Sequence, residues 1–372
     1  MRIGIPKERK NHEYRVGATP GKVRVLVNEG HKVIVEKSAG KAIGFDDDLY
    51  EKVGAKIVSN IEEIYKDSEM IIKVKEPQPD EYPLIKKGQI LFCYLHLAPD
   101  PIQTKALLES GCIAIAYETV VDQMKRLPLL TPMSELAGRI SIQAGATALQ
   151  MAYGGKGVLL GGVPGVLPGR VVVIGGGVVG THAARMAMGL GADVTILDRN
   201  LDRLREIDVD FHFRMKTLFS SPTNVEMAVE SADLVIGAVL IPGKSAPKLV
   251  TKEMVKRMEK GSVIVDVAID QGGCVETSRP TSHSEPTYIF DDIVHYCVTN
   301  MPGACAKTAT EALTSATLPY SLKIANLGYK KALEEDGSLL PGLNVFKGHI
   351  TNSFVAEDLG YEYVPPEEAL KL

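Results

Sequence analysis

The stretch from Arg170 to Asp198, RVVVIGGGVVGTHAARMAMGLGADVTILD, constrains this chain more than any other part of it. An apolar strand leads into Gly175-x-Gly177-x-x-Gly180, a helix follows, Gly191 ends the helix, and a second strand closes on Asp198. Each part has a task in a nucleotide-binding βαβ unit. Gly175 allows the tight turn, Gly177 lets the backbone approach a pyrophosphate, and Gly180 lets the helix pack close to the sheet. The helix N-terminus offers free N–H groups and a positive dipole end to phosphates. Val179, Ala183, Met186 and Leu190 are expected to line the sheet-facing side of that helix. Asp198 stands where it can accept hydrogen bonds from an adenosine ribose and repel a 2′-phosphate, which favours NAD over NADP. Arg199, next in the chain, works against that preference. A lone glycine triplet is weak evidence, and it can simply pack a helix on a strand. Strand, helix, second strand and terminal acid in this order make a dinucleotide site the stronger reading.

The same alternation of apolar runs and helical patterns extends over the whole chain, the mark of α/β architecture with mostly parallel sheets. Arg2–Ile5 reads as a strand, Thr19-Pro20 as a helix cap and first helical residue, Val23, Leu26 and Val27 as its buried face, and Gly30 as its stop. Further strands are expected at Lys32–Glu36, Met70–Val74, Gln89–Tyr94 and Ile113–Tyr117. A second set is expected at Val171–Ile174, Asp193–Leu197, Leu234–Val239, Ser262–Val267 and Ile293–Val298. Between the sets, Thr131-Pro132 opens a long helix through Leu136, Ile140, Ala144, Ala148 and Met151, and a second helical stretch runs from about Lys307 to Glu335. The expected architecture is two doubly wound Rossmann-like domains linked by long helices. One is discontinuous, residues 1–130 plus 305–372, and the other, with its linking helix, spans residues 131–304.

Composition narrows the function classes. The chain has 372 residues, a formal net charge of −4 and ordinary hydrophobic and charged fractions of 45% and 24%. That is no electrostatic footprint for nucleic acid or an anionic membrane. Five scattered cysteines without a CxxC pair point to free thiols in a reducing compartment. MRIGIPKERK has no apolar segment of a secretory signal, and uncharged runs such as Ile140–Gly155 are too short and too broken for a membrane span. A cytoplasmic protein is expected. The histidines show no HxxxH or HExxH spacing, so no metal site is expected. No GxSxG elbow or Walker A sequence is present.

Ligands of doubly wound sheets bind beyond the carboxyl ends of the strands, which selects the remaining candidates. Asp270 follows Ser262–Val267 and suits either chemistry or a turn, whereas Asp266 lies within the apolar run. In the first set Arg15 precedes the helix cap, Lys75 ends IIKVKEP and His96 ends ILFCYLHL. Arginine can clamp a carboxylate, lysine can neutralise one, and histidine titrates near neutrality. Each of these three also suits an ordinary solvated or structural role.

Several blocks in fixed order carry a resemblance: GIPKE with Arg15-x-Gly17-x-Thr19-Pro20, Ile72–Pro77, LFCYLHLA, IAYETV, LLTPMSELAGR, GVLLGGVPGV, VVVIGGGVVG, IGAVLIPG, GSVIVDVAIDQGGCVETSRPTSH and TNMPGA. Over essentially its whole length the chain resembles the family that alanine dehydrogenases share with the NAD-binding subunit of proton-translocating transhydrogenases. The resemblance implies reversible oxidative deamination of L-alanine to pyruvate and ammonium, with NAD as cofactor. It implies that Arg15 and Lys75 hold the substrate carboxylate and that His96 and Asp270 are the acid–base residues. The implied cofactor-binding set is Ser134, Gly175, Gly177, Val178, Val179, Gly180, Asp198, Arg203, Ser220, Val239, Leu240, Val267, Ala268, Ile269, Arg279, Val298, Asn300 and Met301. It also implies a homohexamer with the discontinuous domain as the substrate domain and the active site between the domains. Thr299 and Ala306 stand where the family usually has proline. The alternatives are a transhydrogenase NAD subunit and a non-catalytic NAD-binding protein.

Overall fold

The structure is a computed structural model that describes residues 1–239 and 246–372. Its elements begin with β1 (Arg2–Ile5), α1 (Pro20–Asn28), β2 (Lys32–Glu36), α2 (Asp47–Glu51), β3 (Lys56–Val58), α3 (Ile61–Asp67), β4 (Met70–Ile72), β5 (Ile90–Cys93), α4 (Pro101–Ser110), β6 (Ile113–Ala116) and α5 (Thr131–Ala148). They continue with β7 (Arg170–Ile174), α6 (Val178–Gly189), β8 (Asp193–Asp198), α7 (Leu201–Asp210), β9 (Lys216–Phe219), α8 (Pro222–Ser231), β10 (Leu234–Gly237), α9 (Lys252–Arg257), β11 (Val263–Asp266), β12 (Thr287–Phe290) and β13 (Ile293–Tyr296). The C-terminal part adds α10 (Ala306–Leu327), α11 (Tyr329–Glu335), β14 (Leu343–Phe346), β15 (His349–Ile350), α12 (Ser353–Leu359) and α13 (Pro366–Ala369). The chain separates into two compact units, Met1–Met133 with Cys305–Leu372, and Ser134–Ala304.

The first unit is built on an eight-stranded sheet in the order β15-β14-β6-β5-β4-β1-β2-β3. Strands β1 to β6 are all parallel, and β14 and β15 are added antiparallel on the β6 edge. The second unit has seven strands in the order β12-β13-β11-β10-β7-β8-β9, parallel except for β12. Both sheets therefore carry the doubly wound strand order, with the winding reversing between β1 and β4 in one and between β7 and β10 in the other. The central strands ILFC, IAIA, LVIG and VIVD are buried along their whole length, as strands covered on both faces must be.

Local signals act where expected at α1. Thr19 Oγ1 accepts the Lys22 N–H at 3.3 Å, Pro20 occupies the first turn, and Gly30 takes φ 84° just past the end. Four differences from the sequence reading have physical causes. Strands β4, β5, β6, β10, β11 and β13 stop short of their apolar runs because the last residues of those runs leave the ladder and enter the rim loops. Five strands lie outside the expected set: β3, β9 and β12 sit at sheet edges with exposed positions and no continuous apolar signature, and β14 and β15 are short additions from the C-terminal segment. The helix expected to reach Met151 ends at Ala148, leaving Met151 exposed. The stretch from Lys307 to Glu335 is two helices, parted at Gly328 with φ 77°.

The buried face of α6 is also different. It consists of Gly180, Thr181, Ala183, Ala184 and Ala187, whereas Leu190 is exposed. Small side chains let the helix lie against the sheet more closely than the expected Val179, Met186 and Leu190 would allow. Among the described residues no helix is long and apolar enough to cross a membrane.

Candidate active site

In the first unit the candidate residues gather at the carboxyl ends of the strands around the β1/β4 reversal. Arg15 lies in the loop between β1 and α1 and is only 2% exposed. Glu13 grips it with two parallel hydrogen bonds, Nε to Oε1 and Nη2 to Oε2, both 2.6 Å, and Nη1 lies 3.1 Å from Met133 Sδ. Burial opposes the charge of Arg15, but the Glu13 carboxylate outweighs it and raises the guanidinium pKa. The cation is thus fixed in plane and in charge. Lys75 follows β4 and lies half-buried. Burial would raise the neighbouring Glu76 carboxyl, but the charges of Lys75 and Lys10 bring it below its ordinary value, and Lys10 Nζ pairs with Glu76 at 2.5 Å.

The same loop is tied down by a fully buried ionic cluster. Lys73 Nζ lies 3.0 Å from Glu81 Oε1 and 3.4 Å from Glu8 Oε2. Glu8 Oε1 accepts the Val74 N–H at 2.7 Å, and Glu81 accepts the Tyr65 hydroxyl at 3.0 Å and the Gln78 N–H at 2.8 Å. One lysine cannot fully serve two buried carboxylates. Burial pushes Glu8, the more distant partner, up to about 7 even though Lys73 pulls it down. Burial also opposes the charge of Lys73, but Glu8 and Glu81 outweigh it and hold the ammonium protonated.

His96 follows β5 and is exposed, with its backbone in the left-handed region at φ 49°. Its ring stacks on Tyr94, with centroids 5.9 Å apart and planes 12° from parallel, and Tyr94 donates its hydroxyl to Leu129 O at 2.6 Å. Nδ1 stands 4.0 Å from Glu118 Oε1.

The second unit presents its candidates along the carboxyl edge of its own sheet. Gly175 has φ 106°, and a Cβ there would meet the Ala238 carbonyl oxygen at 2.6 Å. A Cβ on Gly180 would lie 1.8 Å from Gly175 O, so the helix start leaves no room for a side chain. A Cβ on Gly177 would meet nothing within 4 Å. Gly177 is also the cap of α6 and supplies no side-chain acceptor to its first N–H groups. Open space over donor groups at a helix N-terminus fits a dinucleotide diphosphate. Val178 and Val179 form the first turn of that helix. Asp198, at the end of β8, accepts the Gly176 N–H at 2.7 Å through Oδ2 and the Asn200 N–H at 2.8 Å through Oδ1. Arg203 donates from Nε to Gly176 O at 2.8 Å and from Nη2 to Thr181 Oγ1 at 2.9 Å, stapling the turn from α7.

The remaining cofactor candidates divide by position. Ser220 follows β9, its N–H donating to Asp198 O at 3.0 Å, and Val239 follows β10. Val267, Ala268, Ile269 and Asp270 form a short 3-10 turn directly after β11, with Asp270 exposed and Ile269 buried. The side chains of Val298 and Met301 are buried beyond β13, and Asn300 between them has φ 62°. Arg279 lays its guanidinium over the Tyr288 ring at 4.1 Å, and its N–H donates to the Tyr288 hydroxyl at 2.9 Å. Ser134 lies in the first turns of α5. Leu240 lies outside the described residues. Asp266 is a wholly buried strut, its Oδ2 accepting the Val275 N–H at 3.1 Å.

Comparison with known proteins places this arrangement. The family model for the alanine dehydrogenase/PNT N-terminal domain matches residues 4–137, and that for the C-terminal domain matches residues 141–353. The alanine dehydrogenase of Bacillus subtilis strain 168 is 57% identical over 100% of this chain and 98% of its own. The chain belongs to the alanine dehydrogenase/PNT family. A solved L-alanine dehydrogenase superposes with a TM-score of 0.94 at 53% identity, covering 97% of this chain and 99% of that one. A solved transhydrogenase from Sinorhizobium meliloti shares the fold, with a TM-score of 0.82 at 24% identity over 94% of this chain and 100% of its own.

For this member of the alanine dehydrogenase/PNT family, sequence reasoning missed the acids that hold Arg15, Lys73 and His96. Glu13, Glu8, Glu81 and Glu118 all come from loops whose partners are distant in sequence or face an unexpected way. One signal was available: Lys73 interrupts the apolar run MIIKV, and a lysine inside a buried strand end needs carboxylate partners.

Proposed function

We propose that this chain is an NAD-dependent alanine dehydrogenase that interconverts L-alanine with pyruvate and ammonium. The observation that carries the reading is the full-length 57% identity to the Bacillus subtilis enzyme, against 24% to the transhydrogenase that shares the fold. In this reading residues 1–130 with 305–372 form the substrate domain, and residues 131–304 the NAD-binding domain. NAD, when bound, accepts the hydride lost from the substrate Cα. Gly175, Gly177, Val178, Val179 and Gly180 would hold its diphosphate, and Asp198 its adenosine ribose. Ser134, Arg203, Ser220, Val239, Val267, Ala268, Ile269, Arg279, Val298, Asn300 and Met301 would complete its site.

The chain's own residues then have three tasks. Arg15, fixed by Glu13, and Lys75 bind the substrate carboxylate and so orient Cα. His96 takes a proton from the water that adds to the imine carbon, and returns a proton as the carbinolamine releases ammonium. Asp270 orients the amine or the water. The exposed apolar hairpin carrying Leu159, Val163, Val166 and Leu167, the last 89% exposed, supports assembly with further copies of the chain. We take the protein to be cytoplasmic and the assembly to be a homohexamer, whose mass light scattering on the purified protein tests.

The deciding assay is NADH oxidation with pyruvate, with and without ammonium. Turnover that depends on ammonium supports the reading, and turnover without it, or none at all, overturns it. In His96→Ala and Asp270→Ala, turnover falls while NADH binding persists. In Arg15→Ala, pyruvate affinity falls and NADH binding again persists.

A further inference from the structure

We propose that Glu118 is the positioning residue of His96, setting both its backbone conformation and the orientation of its ring. The proposal rests on the reading of His96 as the acid–base residue and deepens it. Strands β5 and β6 are parallel neighbours in the register Cys93–Ala116, so continuing that register past both strand ends brings Glu118 beside Leu95. The Glu118 carboxylate accepts two consecutive backbone N–H groups. Leu95 N–H donates to Oε1 at 3.1 Å and to Oε2 at 3.2 Å, and His96 N–H donates to Oε1 at 2.7 Å.

Two N–H groups converging on one anion form a nest, and a nest needs a left-handed residue in the turn. His96 is that residue, at φ 49°. This conformation costs a non-glycine residue some free energy, and the carboxylate bound across the turn offsets it at His96. The same Oε1 stands 4.0 Å from Nδ1, and Tyr94 stacks against the ring. At 4.0 Å the Glu118 carboxylate makes no hydrogen bond to Nδ1, but its negative charge on that side favours an N–H over a lone pair there and leaves Nε2 for exchange with water. When water loses its proton to Nε2, an O–H bond breaks, an N–H bond forms, and the imidazolium positive charge develops beside Glu118. Glu118 meets both the backbone N–H and the ring side of His96, so its effect on turnover is expected to pass through His96.

The test is a double-mutant cycle on the kcat of pyruvate amination, using the full-length enzyme. The proteins are wild type, Glu118→Ala, His96→Ala and the double variant, with NADH affinity measured for each. Glu118→Ala is expected to lower kcat about 10²-fold, the scale of a misplaced catalytic group. In the His96→Ala background the same substitution should change kcat by less than about twofold. Glu118→Gln keeps an acceptor oxygen for the two N–H groups and removes the charge, so its kcat should fall between wild type and Glu118→Ala. If Glu118→Ala does not fold, Glu118→Gln takes its place in the cycle. An equal loss with and without His96 would mean a merely structural role and overturns the proposal, as does wild-type kcat in Glu118→Ala. Wild-type kcat in His96→Ala overturns the underlying reading as well, which sets that failure apart from the other two.

Discussion

Two alanines placed three residues apart in the glycine turn should have opposite consequences, and the difference isolates what each glycine does. In Gly180→Ala the new Cβ would lie 1.8 Å from the Gly175 carbonyl oxygen and 3.1 Å from Val173 Cγ1. Carbon atoms do not approach a backbone oxygen so closely, so α6 or the turn must move by more than an ångström. Overpacking of this kind costs about 1–3 kcal/mol. At about 2–4 °C per kcal/mol, Tm should fall by roughly 2–12 °C. The displaced turn should also bind NADH less well. In Gly177→Ala the Cβ meets nothing within 4 Å, and φ −70° with ψ −167° is open to any residue. Restricting the unfolded chain stabilises by about 0.4–1 kcal/mol, and replacing the better cap costs a similar amount, so Tm should stay within about 2 °C. The methyl group fills the space over the helix N-terminus. NADH affinity should therefore fall about tenfold or more, roughly 1.4 kcal/mol. Thermal melts of both variants without cofactor, with NADH titrations by fluorescence, read the two effects separately. Wild-type NADH affinity in Gly177→Ala would refute the diphosphate role of the turn. Wild-type Tm in Gly180→Ala would refute the steric argument.

Other outcomes follow from the charges. Glu8 titrates at about 7 in the folded chain, above the ordinary carboxylate value of 4.5, because it is buried. Its stabilisation is full below about pH 4.5 and is lost as pH rises through 7, since the folded chain then holds a proton that the unfolded chain has released. In Glu8→Gln this decline, on the order of 3 kcal/mol at most, should be missing from urea melts taken between about pH 5 and about pH 8. Parallel stability curves for variant and wild type would contradict it. Lys73→Met leaves Glu8 and Glu81 buried without their cation and should cost about 3–5 kcal/mol by the same melts; a loss under about 1 kcal/mol would show that the cluster does not hold the loop. Arg257 pairs with Glu226 and Glu230 on an exposed surface, so Arg257→Ala should cost under about 1 kcal/mol, and a much larger loss would mean the pairs are better shielded than they look.

Much of the fold was legible in the chain because buried parallel strands write themselves as continuous apolar runs, and glycine, proline and capping residues punctuate them. The first α1 turn and the glycine turn follow from such local signals alone. The edge strand β3 escaped notice for the converse reason, since KIV at a sheet edge has little to distinguish it from a loop. Lys75 and His96 could be picked out as polar residues ending apolar runs, and Arg15 by its place before the α1 cap. The buried acids could not: Glu118 meets His96 only because β5 and β6 are neighbours, and Glu8 meets Lys73 only because β1 and β4 are.

The sequence by itself determined the family, the α/β class and the phosphate turn, since each is written in residues close together along the chain. Tertiary structure alone decided between which strands each sheet reverses its winding, that Arg15 is clamped by Glu13, and that one lysine serves two buried carboxylates. These outcomes depend on which strands lie side by side and how deeply a charge is buried. Strand order and burial are properties of the folded sheet, and no local pattern encodes them.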